Sequence, residues 1–467
     1  MKLYNTRTRA VDEVKPLDGP NIKVYTCGPT VYDYSHIGHW FTYVRADLLI
    51  RSLEANGFKP KWVMNITDVG HLVSDADDGE DKLEKGARRE SKTAWEIAEF
   101  YTKDFLDGLK QLNITNPDII AKATDHISEQ IDLIRLLEQK DYTYQIDDGI
   151  YFDTSKFSRY ADFAKLELAE QQAADRMVSN PQKKNPADFA VWKLSPPDSK
   201  RDMEWDSPWG QGFPGWHIEC SAMSMKYLGQ TLDIHTGGID HIPVHHTNEI
   251  AQSEAATGQT FANYWVHMNH VLVNGEKISK SSGNGVTLQQ ITGKGIPPEA
   301  LRLHILESHY RSQSRFSWES LEAAHTRLKE LHSLAVLRYQ ALPAVNDAAT
   351  FAMQDVTSQL SDMLADDLNT PQAIALLSRL SNQLLAVLIE RDMLSEFEAM
   401  LGDIDRLLGL RLMNVPDISQ PQKDLVKQRE TARAARDWTK SDEIRDRLIK
   451  DGIGLRDTPQ GIIWFWL

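Results

Sequence analysis

Residues 25–39 read Tyr-Thr-Cys-Gly-Pro-Thr-Val-Tyr-Asp-Tyr-Ser-His-Ile-Gly-His. Residues 23–27 are β-branched or aromatic for the most part, which predicts the end of a buried strand. Gly28 interrupts the strand, and Ser35 is a favourable N-cap for a helix whose first turn carries His36. A strand, a glycine break and a helix start together predict a phosphate-binding turn, because backbone N–H groups and the helix dipole point at the same place.

The composition is that of a globular protein in a reducing compartment. The 467 residues are 41% hydrophobic and 25% charged, which is usual for globular chains, and the length predicts two or three domains. The two cysteines, Cys27 and Cys220, cannot make a disulfide framework, so we expect a cytoplasmic protein. No signal peptide is evident and no run approaches the ~18 apolar residues of a membrane span, so no membrane partner is expected.

Charge is distributed unevenly along the chain. The formal net charge is −15, which argues against a broad, non-specific nucleic-acid surface. Residues 421–467 hold ten Lys and Arg against eight Asp and Glu, or +2, which leaves −17 for the rest. A local basic face at the C-terminal end therefore stays possible.

The order of predicted elements indicates an α/β unit followed by helices. Residues 40–56 have helical apolar periodicity and residues 59–67 read as a second strand. This βαβ unit predicts a parallel sheet. Further along we predict a charged loop (75–90), a capped helix (93–112) and an insertion (114–213), which contains strands within 142–152 and is mostly loop over 181–215. A strand (232–235), a helix (247–257) and a strand (264–273) follow, and the last strand ends at a turn formed by Asn274 and Gly275.

The C-terminal third has a different pattern. Leucines recur at helical spacing from about Pro297 to Leu410, which predicts a helix bundle. A proline-containing linker at 413–422 precedes a predicted single helix at 423–450, and the last residues read as a hairpin.

Four side chains form a candidate metal set. His245 and Glu249 are four residues apart, so on a helix they share one face. Cys27 is expected at a strand end and Cys220 at a strand-to-helix turn, and both can lie at the carboxyl edge of one parallel sheet. Two thiolates, one imidazole and one carboxylate suit Zn²⁺. From spacing alone a solvated His–Glu pair on a surface helix is favoured, because the 193 positions between the two cysteines are not a zinc-finger spacing. Alternatives for the histidine are His241 and His246.

Lys277 and Lys280 lie in a loop rich in Ser and Gly. Two cations there suit the negative charge that develops on transferring phosphates. An ordinary basic surface turn has the same composition.

The order of these motifs resembles that of a class I aminoacyl-tRNA synthetase, in which HIGH (36–39) precedes KISKS (277–281) with an insertion between them. Longer blocks are similar to the cysteinyl-tRNA synthetase family over nearly all of the chain. They are YTCGPTVYDYSHIGH, GWHIECSAM, DIHTGGIDHIPVHHTNEIAQS, NYWVHMNHVLVNGEKISKSSGN, SHYRSQSRFSW, DDLNTP and the C-terminal stretch from RETARAARDW.

The resemblance implies an architecture and an activity. The parts would be a Rossmann-type α/β catalytic domain at 1–300 with its insertion at about 114–213, an all-α bundle at 301–412 that contacts tRNA, and a linker with a small α+β anticodon-side domain at 413–467. The implied reaction activates L-cysteine with ATP and Mg²⁺ to cysteinyl-adenylate, then transfers the cysteinyl group to tRNA(Cys). We expect a monomer.

The resemblance also assigns residues. It implies one Zn²⁺ per chain, bound by Cys27, Cys220, His245 and Glu249, which selects the substrate thiolate. The implied ATP-binding residues are Gly28, His36, Ile37, Gly38, His39, Lys277, Ile278, Ser279, Lys280 and Ser281, of which His36, His39, Lys277 and Lys280 are the catalytic ones. The positions that match the cysteine pocket are Thr67, Trp216 and His235.

Three positions depart from the family pattern, and two other functions stay open. The departures are His39 where Asn is frequent, Gly70-His71 where an acidic pair is usual, and Pro243-Val244 where Phe-Pro is usual. A cysteine ligase of the mycothiol pathway would join cysteine to an amino-sugar, but such relatives lack a counterpart to the residues beyond Pro416. A non-catalytic paralogue would bind tRNA or zinc only, and the intact HIGH and KISKS motifs argue against it.

Overall fold

The computed structural model describes residues 1–70, 82–165, 180–196, 201–278, 283–340, 353, 355–387, 389, 391–458 and 461–467. The strands are β1 (Lys2–Asn5), β2 (Ala10–Glu13), β3 (Asn21–Thr26), β4 (Lys59–Ile66), β5 (Ile119–Lys122), β6 (Thr143–Ile146), β7 (Gly149–Phe152), β8 (Phe189–Leu194), β9 (Gly212–Pro214), β10 (Leu232–Gly238), β11 (Ala262–Met268), β12 (Val271–Val273), β13 (Glu276–Lys277), β14 (Ser314–Phe316), β15 (Ile453–Thr458) and β16 (Gly461–Trp466). The helices are α1 (Ile37–Ala55), α2 (Lys82–Glu90), α3 (Ala94–Gln111), α4 (Ile127–Gln139), α5 (Trp216–Leu228), α6 (Thr247–Thr257), α7 (Leu288–Gly293), α8 (Pro298–Leu306), α9 (Trp318–Ala335), α10 (Val356–Ala365), α11 (Thr370–Val387), α12 (Leu394–Leu408), α13 (Gln420–Ala434) and α14 (Trp438–Lys450).

Five parallel strands form the central sheet, in the order β11-β10-β3-β4-β5. Val24 of β3, Trp62 of β4 and Ile234 of β10 lie side by side and are buried. Such burial is expected of a parallel sheet that is covered on both faces. The chain extends the sheet in one direction from β3 and then returns to β10 on the other side, so the topological switch point lies between β3 and β10. The predicted Rossmann-type α/β fold is confirmed.

Helix α1 begins one residue later than we predicted. His36, rather than Ser35, is its N-cap, and the His36 Nδ1 atom accepts a hydrogen bond from the Gly38 N–H at 3.1 Å. The His36 N–H in turn donates to Nδ1 of His39 at 3.1 Å. Two imidazoles thus form the reciprocal arrangement that Ser and Glu usually provide, while Ser35 is buried.

Two predictions on the crossover between β4 and β5 need correction. Residues 82–90, predicted as loop, form α2, and residues 75–81 of that loop lie outside the described residues. Strand β5 falls inside the predicted insertion but pairs with β4, so it belongs to the central sheet. The capped helix is confirmed, because α3 starts after Thr93, whose Oγ1 accepts from the Glu96 N–H at 3.2 Å.

Strands β6 to β9 form a second, antiparallel sheet in the insertion. The strands predicted from the alternation over residues 142–152 are present as β6 and β7, which pair antiparallel. Residues 181–215, predicted mostly as loop, contribute both β8 and β9. Side chains of this sheet such as Phe152 and Trp192 are fully buried, in a cluster that they share with Ile218 of α5 and Ala251 of α6.

The predicted helical region is confirmed in helices α8 to α12. It is interrupted by β14, which pairs in parallel with β12 and so joins the region to the hairpin β12–β13. In that hairpin Asn274 and Gly275 have φ angles of 51° and 85°, as the predicted two-residue turn requires. In the part of the chain that the structure describes, no helix is both long and apolar enough to cross a bilayer.

A buried arginine connects the central sheet to the helical region. Arg302 of α8 and Asp47 of α1 are both fully buried and form an ion pair. The same guanidinium donates to the carbonyl of Leu408 at 2.6 Å and to that of Leu112 at 2.9 Å, at the C-terminal ends of α12 and α3. Asp47 also accepts from the Thr115 N–H at 2.7 Å. The network satisfies helix ends that would otherwise leave carbonyls unpaired.

We predict that Arg302→Ala lowers the free energy of unfolding by about 3–5 kcal/mol, because it leaves the Asp47 carboxylate buried without its partner. Urea unfolding followed by circular dichroism measures the change. The matched control is Arg406→Ala, since Arg406 is half exposed and pairs with Asp403 at 3.0 Å on the surface. That control should cost at most about 1 kcal/mol, and equal effects of the two variants would contradict the prediction.

The C-terminal unit consists of two helices and the predicted hairpin. The single helix predicted at 423–450 is wrong, because α13 and α14 are separated by a turn at Arg436, whose φ angle is 61°. Strands β15 and β16 pair antiparallel as predicted. Gln340 fixes this hairpin to the preceding helical region through two hydrogen bonds with the Trp464 backbone, at 2.8 and 2.9 Å.

Candidate functional site

The predicted metal ligands gather at the carboxyl edge of the central sheet, beside its switch point. Cys27 follows β3 directly, and its N–H donates to the carbonyl of Thr236 in β10 at 3.1 Å. This edge is where open α/β sheets bind ligands. Helix α1 starts ten residues after Cys27, so the cysteine and the HIGH motif flank one crevice.

Three further elements bring the candidate metal ligands to this edge. Cys220 lies inside α5, so the predicted strand-to-helix turn is wrong at this position. His245 lies in a π-helical turn, Ile242–His246, which runs directly into α6, and Glu249 is in the first turn of α6. That π turn contains the Pro243-Val244 departure, and it still brings His245 and Glu249 together.

The four side chains meet in a buried cluster. The Sγ atoms of Cys27 and Cys220 are 4.0 Å apart, and Cys27 Sγ is 3.7 Å from Oε1 of Glu249. Nε2 of His245 is 2.8 Å from the same oxygen. Two thiolates on one tetrahedral zinc, each about 2.3 Å from the metal, would be about 3.8 Å apart. The separation of the two sulfurs therefore fits a shared metal ion.

The pKa shifts of Cys27 and Cys220 also suit a bound cation. Burial raises the pKa of Cys27, and Cys220 and Glu249 beside it raise it further. The hydrogen bond from Cys27 lowers the pKa of Cys220 to about 7, against the effect of burial. Without a cation, a negative charge on both sulfurs at once is therefore disfavoured. A divalent ion would supply the positive charge that stabilises both as thiolates.

A second donor set overlaps the first. Cys27, His235, His246 and Glu249 are buried, and their ligand atoms also lie within 4.8 Å of one another. His246 Nε2 is 3.4 Å from Cys27 Sγ, and His235 Nε2 is 2.7 Å from Glu249 Oε2. Of the two alternative histidines raised by the sequence, His246 therefore reaches the cluster, whereas His241 belongs to neither set. Cys27 and Glu249 are common to both sets.

Aromatic rings line the cluster on two sides. Trp216, half-buried, has its ring centroid 4.3 Å from that of His245, and Trp265 stacks on His235 at 4.5 Å. His217 Nδ1 lies 3.0 Å from Nδ1 of His245 and so orients that ring. The Nδ1 atom of His235 is buried and has no hydrogen-bond partner. The predicted pocket residues Trp216 and His235 are thus neighbours of the metal set.

The third predicted pocket residue, Thr67, is buried at the end of β4. Its Oγ1 donates to Oε2 of Glu219 at 3.1 Å. Sequence reasoning did not single out Glu219, His217 or Trp265. The signal for the first two was their position in the GWHIEC block, on either side of Ile218 and ahead of Cys220.

The phosphate-turn pattern predicted unpaired backbone N–H groups in the first turn of α1. In the structure these N–H groups are paired. The Ile37 N–H donates to the carbonyl of Val286 at 2.8 Å, and the Gly38 N–H to His36 Nδ1. The His39 N–H donates to the His36 carbonyl at 2.9 Å. Because Nδ1 of both imidazoles accepts a backbone N–H, each neutral ring has its proton on Nε2. The backbone N–H groups of this turn are therefore already used, and a contact from the turn to a phosphate would have to come from side chains.

Two glycines permit close approaches at this site. A Cβ atom at Gly28 would lie 1.6 Å from the carbonyl oxygen of Asn65. One at Gly38 would lie 3.3 Å from Cδ1 of Ile278, so the glycine lets the KISKS segment contact the start of α1. On the other side of the KISKS loop, the hydrogen bond from the Ile37 N–H to the Val286 carbonyl fixes the chain to the start of α1.

The described part of the KISKS motif is its first two residues. Lys277 ends β13 and is exposed, while Ile278 is half-buried. Ser279, Lys280 and Ser281 lie outside the described residues, as does His71 of the Gly70-His71 departure. Their assignments stay predictions from the sequence.

The fold has known counterparts. A solved Mycobacterium tuberculosis methionyl-tRNA synthetase in complex with methionyl-adenylate superposes with a TM-score of 0.58, over 85% of this chain and 93% of that one, at 15% sequence identity. With its five-stranded parallel sheet and the HIGH motif beside its switch point, the chain has the fold of a class I aminoacyl-tRNA synthetase.

Sequence comparison shows which family within the class I aminoacyl-tRNA synthetases the chain resembles, and hence which amino acid that family attaches to tRNA. The family described as tRNA synthetases class I (C) catalytic domain matches residues 13–326, the DALR domain matches 360–413, and the cysteinyl-tRNA ligase anticodon binding domain matches 415–464. Cysteine–tRNA ligase 1 of Burkholderia lata is 46% identical over 99% of this chain and 96% of its own length. The cysteine–tRNA ligase of Treponema denticola is 40% identical, over 99% of both chains. The chain belongs to the cysteinyl-tRNA synthetase family.

Proposed function

We propose that the chain converts L-cysteine and ATP to cysteinyl-adenylate and transfers the cysteinyl group to the 3′ end of tRNA(Cys). The observation that carries this proposal is the buried Cys27–Cys220–His245–Glu249 cluster beside the HIGH helix. The match to an anticodon-binding domain beyond residue 415 supports tRNA, rather than an amino-sugar, as acceptor.

Activation joins one carboxylate oxygen of cysteine to the α-phosphorus of ATP, which enters as its Mg²⁺ complex, and pyrophosphate leaves in line. The chain contributes position and charge, since this reaction needs little covalent help. Nε2–H of His36 and of His39 would donate to phosphate oxygens. Lys277 and Lys280 would neutralise the charge that grows on the leaving pyrophosphate. Gly28, Ile37, Gly38, Ile278, Ser279 and Ser281 would shape the nucleotide site.

Selectivity for cysteine would reside in the metal cluster and its aromatic lining. A Zn²⁺ ion held by Cys27, Cys220, His245 and Glu249 would bind the substrate thiolate, which a serine hydroxyl cannot imitate, because it is a far weaker acid and a harder ligand. Trp216 and His235 would enclose the substrate side chain, while Thr67 would hold the nearby end of β4 in place through its bond to Glu219.

We also propose the three-part division at residues 1–300, 301–412 and 413–467, with β5 assigned to the central sheet. In this division the helical and C-terminal parts contact tRNA. A monomer in the reducing cytoplasm suits the proposal, because the zinc ligands must stay thiolates.

Metal analysis combined with zinc X-ray absorption tests the cluster. We expect one Zn²⁺ per chain and a sulfur count that rises when cysteine is added. An unchanged sulfur count would show that selectivity arises elsewhere. Charging of tRNA(Cys) then separates a synthetase from a cysteine ligase with another acceptor.

We predict that removal of residues 416–467 spares adenylate formation but weakens tRNA binding at least about tenfold, the loss of one or two charge-assisted hydrogen bonds. The removed piece contains the basic excess of the chain and the matched anticodon-binding domain. Pyrophosphate exchange and aminoacylation are measured on the same preparation. Loss of phosphate contacts should also flatten the salt dependence of binding.

The control for this truncation is Gln340→Ala in the full chain. It breaks both hydrogen bonds between Gln340 and the Trp464 backbone while keeping every basic residue of the unit. If the truncated chain charges tRNA as well as the full chain, the C-terminal unit is not a tRNA-binding domain.

A further inference from the structure

A buried aspartate lies in the turn between helices α10 and α11, inside the stretch that the DALR domain matches. Asp367 is 5% exposed and has a φ angle of 57°, and its fully buried neighbour Leu368 has one of 54°. Left-handed backbone is costly for residues other than glycine, and it persists where surrounding contacts hold it in place. Two such residues in succession therefore indicate a turn that the neighbouring structure enforces.

Both carboxylate oxygens of Asp367 are hydrogen-bonded. Oδ1 accepts from the Tyr4 N–H at 2.8 Å and from the Tyr310 hydroxyl at 2.5 Å. Oδ2 accepts from Nε of Arg311 at 2.7 Å, and a second nitrogen of that guanidinium lies 2.6 Å from it. The Asp367 N–H in turn donates to the carbonyl of Lys2 at 3.1 Å. One residue therefore joins the α10–α11 turn to strand β1 and to the loop between α8 and β14.

The loop between α8 and β14 holds the segment that leads into the KISKS hairpin. The Asn269 N–H donates to the carbonyl of Tyr310, and the Asn269 side-chain amide donates to the carbonyl of Arg311, both at 2.8 Å. Asn269 lies two residues before β12, the first strand of the hairpin that ends at Lys277. The two residues that Asp367 holds by their side chains therefore hold this hairpin by their backbone.

Helix α1, which begins with the HIGH motif, is fixed to the same loop. Arg45 of α1 is 1% exposed, and its guanidinium donates to the carbonyl of Asn269 at 3.3 Å. It also donates to the hydroxyl of Ser308 at 3.0 Å and to that of Ser314 at 2.6 Å. The three acceptors lie on the loop, at its end and at the start of the hairpin. The guanidinium therefore sets the position of α1 relative to both.

We propose that Asp367 is a positioning residue for the nucleotide site. It holds the loop between α8 and β14, and that loop fixes the KISKS hairpin and α1 relative to each other. The proposal rests on the proposed function, in which both of these segments contact ATP. The candidate metal ligands Cys220, His245 and Glu249 come from α5, α6 and the turn before it. A defect at Asp367 should therefore weaken the handling of ATP and leave that of cysteine unchanged.

The test replaces Asp367 by asparagine, which tolerates left-handed backbone and so removes the charge without adding strain. We expect the KM for ATP in cysteine-dependent pyrophosphate exchange to rise about tenfold, the scale of one lost charge-assisted hydrogen bond. The KM for cysteine and the zinc content should stay within about twofold of those of the unaltered chain. Tyr310→Phe removes one donor to the carboxylate and should raise the KM for ATP about threefold.

Asp366→Asn is the matched control, since Asp366 directly precedes Asp367 and is exposed. It should change neither KM. A purely structural role of Asp367 would lower the number of active molecules, which titration of the active site measures, and would leave both KM values unchanged. That result overturns the proposal, as does an equal rise in the two KM values.

If Asp367→Asn does not fold, the KM values of Tyr310→Phe decide by the same two criteria. Absence of cysteine-dependent pyrophosphate exchange in the unaltered chain would contradict the proposed function, and with it the role of Asp367. The outcomes that concern the variants contradict only the positioning role.

Discussion

Cys27→Ala should reduce zinc from one ion per chain to a substoichiometric amount, and cysteine-dependent pyrophosphate exchange should fall at least ~100-fold. Cys27 belongs to both overlapping donor sets, so neither set can form without it. Discrimination of cysteine from serine should fall to about 10–200-fold, which is what a pocket without a specific bond to the side chain provides. Metal analysis and exchange assays with each amino acid measure the three quantities.

Cys220→Ala provides the informative contrast. It leaves Cys27, His235, His246 and Glu249 in place, so this variant should keep more zinc than Cys27→Ala does. The double variant Cys220→Ala, His246→Ala should then lose the remainder. His325→Ala, in α9, is a histidine control outside both sets. Full zinc in Cys27→Ala would mean that the metal is bound somewhere other than this cluster.

The features that the sequence predicted well are those determined by neighbouring residues. The cap of α3 depends on Thr93 and Glu96, three positions apart, and both hydrogen bonds of that pattern form. The turn at Asn274 and Gly275 likewise depends on the two residues themselves. The parallel sheet followed from strand and helix periodicities that alternate along the chain.

The features that were missed depend on distant contacts or on unusual backbone conformations. The break between α13 and α14 occurs at Arg436, a residue with no intrinsic preference for its positive φ angle. Strand β5 is four residues long and is defined by its pairing with β4. The N-cap of α1 is an imidazole, which residue preferences for caps do not anticipate.

In the candidate site, too, the sequence predicted what neighbouring residues determine and missed what depends on distant contacts. Spacing joined His245 to Glu249, but Cys27 and Cys220 are 193 positions apart. The expected sheet edge allowed the two cysteines to meet, and the resemblance to a family selected them as a pair. The second donor set was not anticipated, because His235 comes from β10 and His246 from the turn before α6. Their proximity follows from packing across the switch point, which no local pattern encodes.

The second large effect concerns Lys280, in the part of the KISKS loop that lies outside the described residues. Both flanks of that loop contact the start of α1, through Ile278 against Gly38 and through the Ile37–Val286 hydrogen bond. The backbone donors of that helix turn are already used. In the proposed function, Lys280 would supply charge stabilisation that backbone N–H groups give at other helix starts.

We expect Lys280→Ala to lower the rate of pyrophosphate exchange at least ~100-fold, the usual scale for loss of one preorganised charge donor. Affinity for cysteine should change little, because the proposed pocket is formed by other elements. Lys294→Ala is the control, since Lys294 lies just beyond the loop and its Nζ sits 4.6 Å from the Trp318 ring centroid. Its exchange rate should match that of the unaltered chain. If Lys280→Ala also exchanges pyrophosphate at the rate of the unaltered chain, then the transferring phosphates are stabilised without this residue. The imidazoles of His36 and His39 then become the donors to test next.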